Sequence, residues 1–276
     1  MNYRHAFHAG NFADLVKHAV LLSVLARMTR EAAPLTVVDT HAGAGIYDLE
    51  GPAAVVSGEA AAGVARLMAD PAAPAALKPL KAAVARLNPK GGFRLYPGSP
   101  KLIAEALRPT DRFTACELRR DDVDLLRKAL KPTKTEVLCE DGYVVAAARA
   151  KPGQRLLLLI DPPFERPDDY ARAAETAKAV LRRNPAAVAV IWLPLKDLET
   201  FDGFLRRLEA PPAPKALVIE ARLRPLADPM RMNGCALVVI NPPPGLEAEA
   251  GAACAWVAKA CGGPDGEGRV WRLGAD

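Results

Sequence analysis

The chain has 276 residues, half of them hydrophobic and a quarter charged, with a net charge of +5. That suffices for one sizeable α/β core, with or without an inserted subdomain, and the composition is ordinary for a globular protein. The charge leans towards a polyanionic partner. The five cysteines, with no Cys-x-x-Cys pair, exclude a disulfide framework or zinc knuckle and read as buried thiols. Neither a leader segment nor a membrane-spanning run of about 18 apolar residues is expected.

The first predicted element is a helix over Ala13 to Thr29. Leu15, Ala19, Leu22 and Leu25 share one face, and Asn11 or Asp14 caps its start. A strand follows at Leu35–Asp39 and runs at once into Thr-His-Ala-Gly-Ala-Gly, an acid followed by a glycine turn, as nucleotide-binding α/β folds begin. Ser57 to Leu87 is Ala/Leu-rich and broken by Pro71, Pro74 and Pro79, so residues 47–95 read as a helical insert. The main pattern resumes at Tyr96-Pro-Gly-Ser-Pro, with a helix from Pro100 to Leu107. Strands then alternate with helices. The strands are Arg112–Glu117, Glu136–Cys139, Leu156–Asp161 and Ala187–Leu193, and the helices are Arg120–Leu130, Tyr143–Ala150, Asp169–Arg183 and Leu198–Leu208. Such units predict a parallel sheet covered on both faces. Strands at Ala216–Leu223 and Cys235–Ile240 have no helix between them, which predicts a closing hairpin with one antiparallel strand. A helix near Leu246–Ala260 and a segment at Val270–Leu273 complete the chain.

Ligands of doubly wound sheets bind at the carboxyl ends of the strands, so the polar residues there are the candidates. Asp39 and His41 follow the first strand, Glu117 the second, Asp141-Gly142 the third and Asp161-Pro-Pro-Phe164 the fourth. The Glu117 carboxylate suits the two hydroxyls of a ribose, and Asp141 suits the exocyclic amine of an adenine. The glycine turn lacks the Gly-x-Gly-x-x-Gly pattern, which argues for a nucleoside cofactor without a pyrophosphate. Any one acid alone is equally at home as a helix cap; their common order at strand ends carries the reading. Glu117 falls 78 residues past Asp39, where a plain dinucleotide unit has about 20, and the insert accounts for the excess.

Asp161-Pro162-Pro163-Phe164 is the most specific motif. An exocyclic aromatic amine is a poor nucleophile, because its lone pair is delocalised into the ring. A carboxylate that accepts its hydrogen bond steers that lone pair and takes the proton. The prolines stiffen the turn and offer neighbouring carbonyls as acceptors, and Phe164 gives a stacking face for a base. The four histidines fall at 5, 8, 18 and 41 without metal-ligand spacing. Arg222, Arg224 and Arg231 are candidates for phosphate contacts, or for a solvated face.

The opening Tyr3-Arg4-His5-Ala-Phe7-His8-Ala9-Gly10-Asn11-Phe-Ala13-Asp14-Leu-Val-Lys17-His18 closely resembles the bacterial family of large-subunit (23S) ribosomal RNA adenine-N6 methyltransferases of the RlmJ type. Asp39-Thr-His41-Ala-Gly-Ala-Gly45, Tyr96-Pro-Gly-Ser99-Pro and Asp161-Pro-Pro-Phe164 match it in the same order. The resemblance implies a monomeric, cytoplasmic class I Rossmann-like methyltransferase with a small helical insert. Its cofactor would be S-adenosyl-L-methionine, with no metal, and its partner 23S ribosomal RNA. By position, His18, His41, Ser99, Glu117, Asp141, Gly142 and Asp161 look like cofactor contacts, with Asp161 also the proton acceptor. Tyr3 looks like an RNA contact, with His5 and Lys17 as further candidates. Phe164 departs from the tyrosine usual in this family, which keeps stacking and loses a hydroxyl. The rivals are an adenine methyltransferase acting on DNA or another RNA, a catalytically silent binding module, and a histidine-dependent metal hydrolase.

Overall fold

The computed structural model describes residues 5–211 and 213–274. Eight strands form one sheet in the order β10-β8-β9-β7-β6-β1-β4-β5. They are β1 (Thr36–Asp39), β4 (Arg112–Cys116), β5 (Thr135–Leu138), β6 (Leu156–Ile160), β7 (Val188–Leu195), β8 (Ala216–Arg222), β9 (Gly234–Ile240) and β10 (Glu267–Leu273). β1 lies between β4 and β6 and is parallel to both, so the strand order reverses there and leaves a crevice at the carboxyl ends. The central strands β6 and β7 are apolar throughout because both faces of the sheet are covered there. Leu157, Leu159 and Val190 turn to one core, and Leu156, Leu158, Ile160 and Ile191 to the other.

Three helices cover the second of these faces: α8 (Gly142–Arg149), α9 (Asp169–Arg183) and α10 (Leu198–Glu209). The first face is covered by α1 (Phe12–Met28), α6 (Ser99–Ala106), α7 (Arg120–Leu130) and α11 (Leu246–Gly262). Asn11 caps α1 by accepting from the Asp14 N–H at 2.9 Å. Asp14 instead accepts from the Gly10 N–H at 2.9 Å.

Between β1 and α6, a two-stranded antiparallel ladder of β2 (Ile46–Asp48) and β3 (Leu95–Pro97) brackets short helices. These are α2 (Pro52–Ser57), α3 (Glu59–Ala62), α4 (Val64–Ala69) and α5 (Lys78–Leu87).

At the far edge of the sheet the expected antiparallel strand is present, joined by one more. β9 runs antiparallel between β7 and β8, as the hairpin requires, and β10 adds a second antiparallel strand against β8. The Glu267–Leu273 stretch is only partly buried, so it lacks the apolar run that marks a central strand. Among the described residues, no helix is long and apolar enough to cross a membrane.

Candidate active site

The carboxyl ends of β1, β4, β5 and β6 surround a cavity of about 930 Å³, and a second of about 900 Å³ opens beside it. His41, Ser99, Glu117, Asp141, Gly142 and Asp161 line the first. Pro162, Phe164, Trp192 and Lys196 line the second, with His8, Asn11, Asp14 and Glu59. Three residues line both: Lys17, Asp161 and Pro163. Asp161 therefore stands at the junction of two chambers.

At the ribose candidate, Glu117 is held by two backbone donors. Gly43 N–H donates to Oε2 at 3.0 Å and Arg119 N–H to Oε1 at 2.8 Å. Burial raises the Glu117 pKa, and these two donors partly offset the shift. Each carboxylate oxygen keeps a second acceptor site, so a vicinal diol is still accommodated.

Asp141 caps α8, accepting from the Tyr143 N–H at 3.0 Å through Oδ1. Its Oδ2 accepts from Arg172 Nη2 at 2.6 Å. Burial pushes its pKa up, but Arg172 and the Tyr143 N–H outweigh that and hold it below the usual range. The Arg172 guanidinium also lies 4.3 Å over the Tyr143 ring, and Tyr143 meets His41 edge-on at 4.8 Å. The cap reading and the ligand reading of Asp141 are thus compatible. Arg172 and Tyr143 complete this wall, and sequence reasoning passed over both. Arg172 sits on α9, and nothing in its own stretch of sequence marks it as the residue that the fold turns towards Asp141.

Gly142 has a steric reason. A Cβ there would stand 2.0 Å from the Thr40 carbonyl oxygen, so only glycine lets the α8 start lie against the β1 end. His41 shares a hydrogen bond with Thr40 Oγ1 at 2.8 Å, and burial pulls its pKa down to about 4, which makes it a neutral ring. Ser99 donates to Asp39 Oδ2 at 2.7 Å, and Asp39 also accepts from the His41 N–H at 3.2 Å. Burial, with the Asp161 charge nearby, raises the Asp39 pKa to about 7 despite those two donors.

Lys17, a candidate at the catalytic face, lines both cavities. It is 4% exposed, and its Nζ lies 2.8 Å from Asp14 Oδ1 and 2.6 Å from Asp161 Oδ2. Burial alone would lower its pKa, but the two carboxylates hold it well above the ordinary value. A lysine enclosed in this way is an ion-pair partner of Asp161. His18 is not among the residues that line either cavity. It is fully buried behind the cavity wall and shares a hydrogen bond with the Tyr96 hydroxyl at 2.9 Å. Arg222 is turned into the sheet edge, 2.6 Å from the buried Glu220, which removes it from the phosphate candidates. Tyr3 lies outside the described residues, as does the His5 side chain. Among the described residues, no group of three or more His, Cys, Asp or Glu is placed to hold a metal ion.

The Asp-Pro-Pro-Phe turn is strained. Phe164 has φ of 52°, a conformation that costs a non-glycine residue on the order of 1 kcal/mol or more. Its ring packs 4.5 Å from Tyr170 and 5.8 Å from Trp192 (centroid distances), and this packing holds the turn. The result is an aromatic wall beside the junction, against which a flat base can stack.

The family described as ribosomal RNA large subunit methyltransferase D, RlmJ, matches residues 32–273. The ribosomal RNA large subunit methyltransferase J of Escherichia coli K12 is 34% identical over 259 residues, covering 93% of this chain and 92% of that protein. Its Haemophilus influenzae counterpart is 34% identical over 252 residues, covering 90% of each. The crystal structure of a Legionella pneumophila protein superposes with a TM-score of 0.88 at 28% identity, over 96% of this chain and 98% of that one. With the family matched over most of its length and the parallel sheet in place, the chain belongs to the RlmJ family of large-subunit ribosomal RNA methyltransferases.

Proposed function

We propose that this protein methylates the N6 amine of an adenine in 23S ribosomal RNA, with S-adenosyl-L-methionine bound in the first cavity and the adenine in the second. The observation that carries the reading is the junction: Asp161, Lys17 and Pro163 belong to both cavities. The donor set of the first cavity fits the cofactor. Glu117 suits the ribose hydroxyls, Asp141 and its helix start suit the adenine edge, and the carboxylates suit a cation. S-adenosyl-L-methionine supplies an electrophilic methyl group on a sulfonium.

The chain's own residues do the rest. Lys17 engages Asp161 Oδ2 and leaves Oδ1 for the substrate amine. Asp161 Oδ1 accepts a hydrogen bond from that amine and turns the nitrogen lone pair towards the methyl group. It then takes the proton that the nitrogen sheds once the N–C bond has formed. Phe164 and the prolines hold the ring plane, and the neutral His41 adds no positive charge beside the sulfonium. His18 acts through Tyr96, as support behind the wall. Residues 47–95 form the inserted subdomain, and the protein works as a cytoplasmic monomer.

The test is transfer of labelled methyl from S-adenosyl-L-methionine to unmodified 23S ribosomal RNA, followed by nucleoside analysis. Labelled N6-methyladenosine at one position is expected. Asp161→Asn is expected to abolish turnover while cofactor still binds. Near-normal turnover in that variant would remove the proton-acceptor role.

A further inference from the structure

The β8–β9 loop, residues 223–233, reads Leu-Arg-Pro-Leu-Ala-Asp-Pro-Met-Arg-Met-Asn. It rises from the same edge of the sheet as Asp161, because β8 ends on that side. Its composition is unusual for a loop in water, since apolar side chains alternate with two arginines. Met230 is 89% exposed, and Pro229, Arg224 and Arg231 are exposed around it.

The loop is nonetheless built. Asn233 is fully buried, and its Nδ2 donates to the carbonyls of Lys196 at 2.8 Å and Asp228 at 2.7 Å. Its backbone N–H donates to the Leu195 carbonyl and its carbonyl accepts from the Leu223 N–H, both at 2.8 Å. Asp228 Oδ1 accepts from the Met230 N–H at 3.0 Å, and the Asp228 carbonyl accepts from the Arg231 N–H at 3.2 Å. Asp228 also pairs with Arg231 at 3.3 Å. These bonds tie both stems to the end of β7 and hold a tight turn that presents Met230 to solvent. Such a turn spends order on an apolar tip that is almost wholly exposed among the described residues.

Position supplies the reason. Met232 and Lys196 line the second cavity, where the adenine sits in the proposed function on which this inference rests. Two residues of chain span at most about 7 Å, so the Met230 Cα lies within that reach of Met232 at the wall of the cavity that the adenine enters. A base inside a helix cannot reach Asp161 and must be turned out, at a cost of a few kcal/mol for lost stacking and pairing. An apolar side chain pushed between base steps offsets that cost, and flanking arginines hold the backbone.

We infer that the β8–β9 loop is the strand-opening wedge for the RNA substrate, with Met230 filling the gap left by the target adenine and Arg224 and Arg231 on the flanking phosphates. The shallow, wide minor groove of an RNA helix admits such a loop.

The experiment compares two hairpins built around the adenine that the labelling experiment identifies. In one the adenine is paired; in the other it faces an abasic site and is already unpaired, so less work is needed to turn it out. Methyl transfer is measured for the wild type, Met230→Ala and Met230→Leu. Met230→Ala is expected to lose roughly tenfold in kcat/KM on the paired hairpin and less than about twofold on the abasic one, and Met230→Leu to retain most of both. Equal losses of Met230→Ala on both hairpins, or none on either, would overturn the wedge; the latter result would leave the tip as a surface for another macromolecule. If the wild type methylates the abasic hairpin, the underlying reading stands whatever the variants do. If it methylates neither, that reading falls and the wedge with it.

Discussion

Asp39 has no solvent exposure, and its pKa of about 7 has a consequence for stability that a surface acid would not have. Its folded-state pKa lies above the unfolded one, so the folded chain holds a proton there that the unfolded chain has lost. Stability therefore falls as pH rises from the ordinary carboxylate range through about 7, where folding must accept a buried charge. In Asp39→Asn the amide oxygen still accepts from the His41 N–H, and the Ser99 hydroxyl can rotate to accept from the new amide. The variant is expected to have a higher Tm than wild type at pH 8, with the gap closing towards pH 5. A gap independent of pH would show that Asp39 does not titrate in this range. Glu117 gives a second test at the same scale. Glu117→Ala removes the acceptor proposed for the ribose, and cofactor affinity by calorimetry is expected to weaken by about 1.5–3 kcal/mol, the worth of hydrogen bonds to a charged group. Unchanged affinity would take Glu117 out of the site.

The short helices between β2 and β3 touch the active site through one side chain. Glu59, at the start of α3, accepts from Asn11 Nδ2 at 2.9 Å and pairs with His8 Nδ1 at 2.9 Å. Asn11 caps α1, and α1 carries Asp14 and Lys17, so one chain of contacts runs from α3 to Asp161. The hydrogen bond to Glu59 raises the His8 pKa against the effect of burial. That contribution is complete below the ordinary histidine pKa and is lost as pH rises through the raised one. Glu59→Ala is expected to speed hydrogen exchange at the first amides of α1, and the wild type to approach the variant at alkaline pH once the intrinsic rate is divided out. Equal protection in both would mean that α3 merely lies alongside. Gly63 makes the contact close. A Cβ there would stand 2.1 Å from the Gly10 carbonyl oxygen, and Val64 N–H donates to that same oxygen at 2.8 Å. Gly63→Ala must move backbone and is expected to cost about 1–3 kcal/mol in unfolding free energy by denaturant titration. No loss would show that the two segments part easily.

At this scale the sequence was informative where periodicity and burial agree. The boundaries of α7 and α9 could be read directly, because amphipathic helices announce themselves. The acids at strand ends were legible for the same reason, since topology dictates where strand ends meet. β2, β3 and β10 were not, being short or half-exposed and recognisable only by their partners. Arg172 and Glu59 were equally hidden: each acts on residues far along the chain, and nothing local to either says so.

On the scale of the whole molecule, α1 and α11 pack side by side, although they lie at opposite ends of the described chain. Arg27 donates to the carbonyls of Pro244 at 3.1 Å and Gly245 at 2.7 Å and pairs with Glu249 at 2.9 Å, and Ser23 also bonds Glu249. Arg27→Ala is expected to cost about 1–3 kcal/mol, read as a lowered Tm with cofactor affinity unchanged. A Tm equal to wild type would show that apolar packing alone joins the two helices. This join has a timing consequence for synthesis on the ribosome. Lys17 is made before Asp161, but α11, which helps to seat its helix, emerges more than two hundred residues after it. A growing chain can complete β1 to β7 and still lack a settled partner for Asp161. The active site is therefore completed only once α11 has been made and packs against α1.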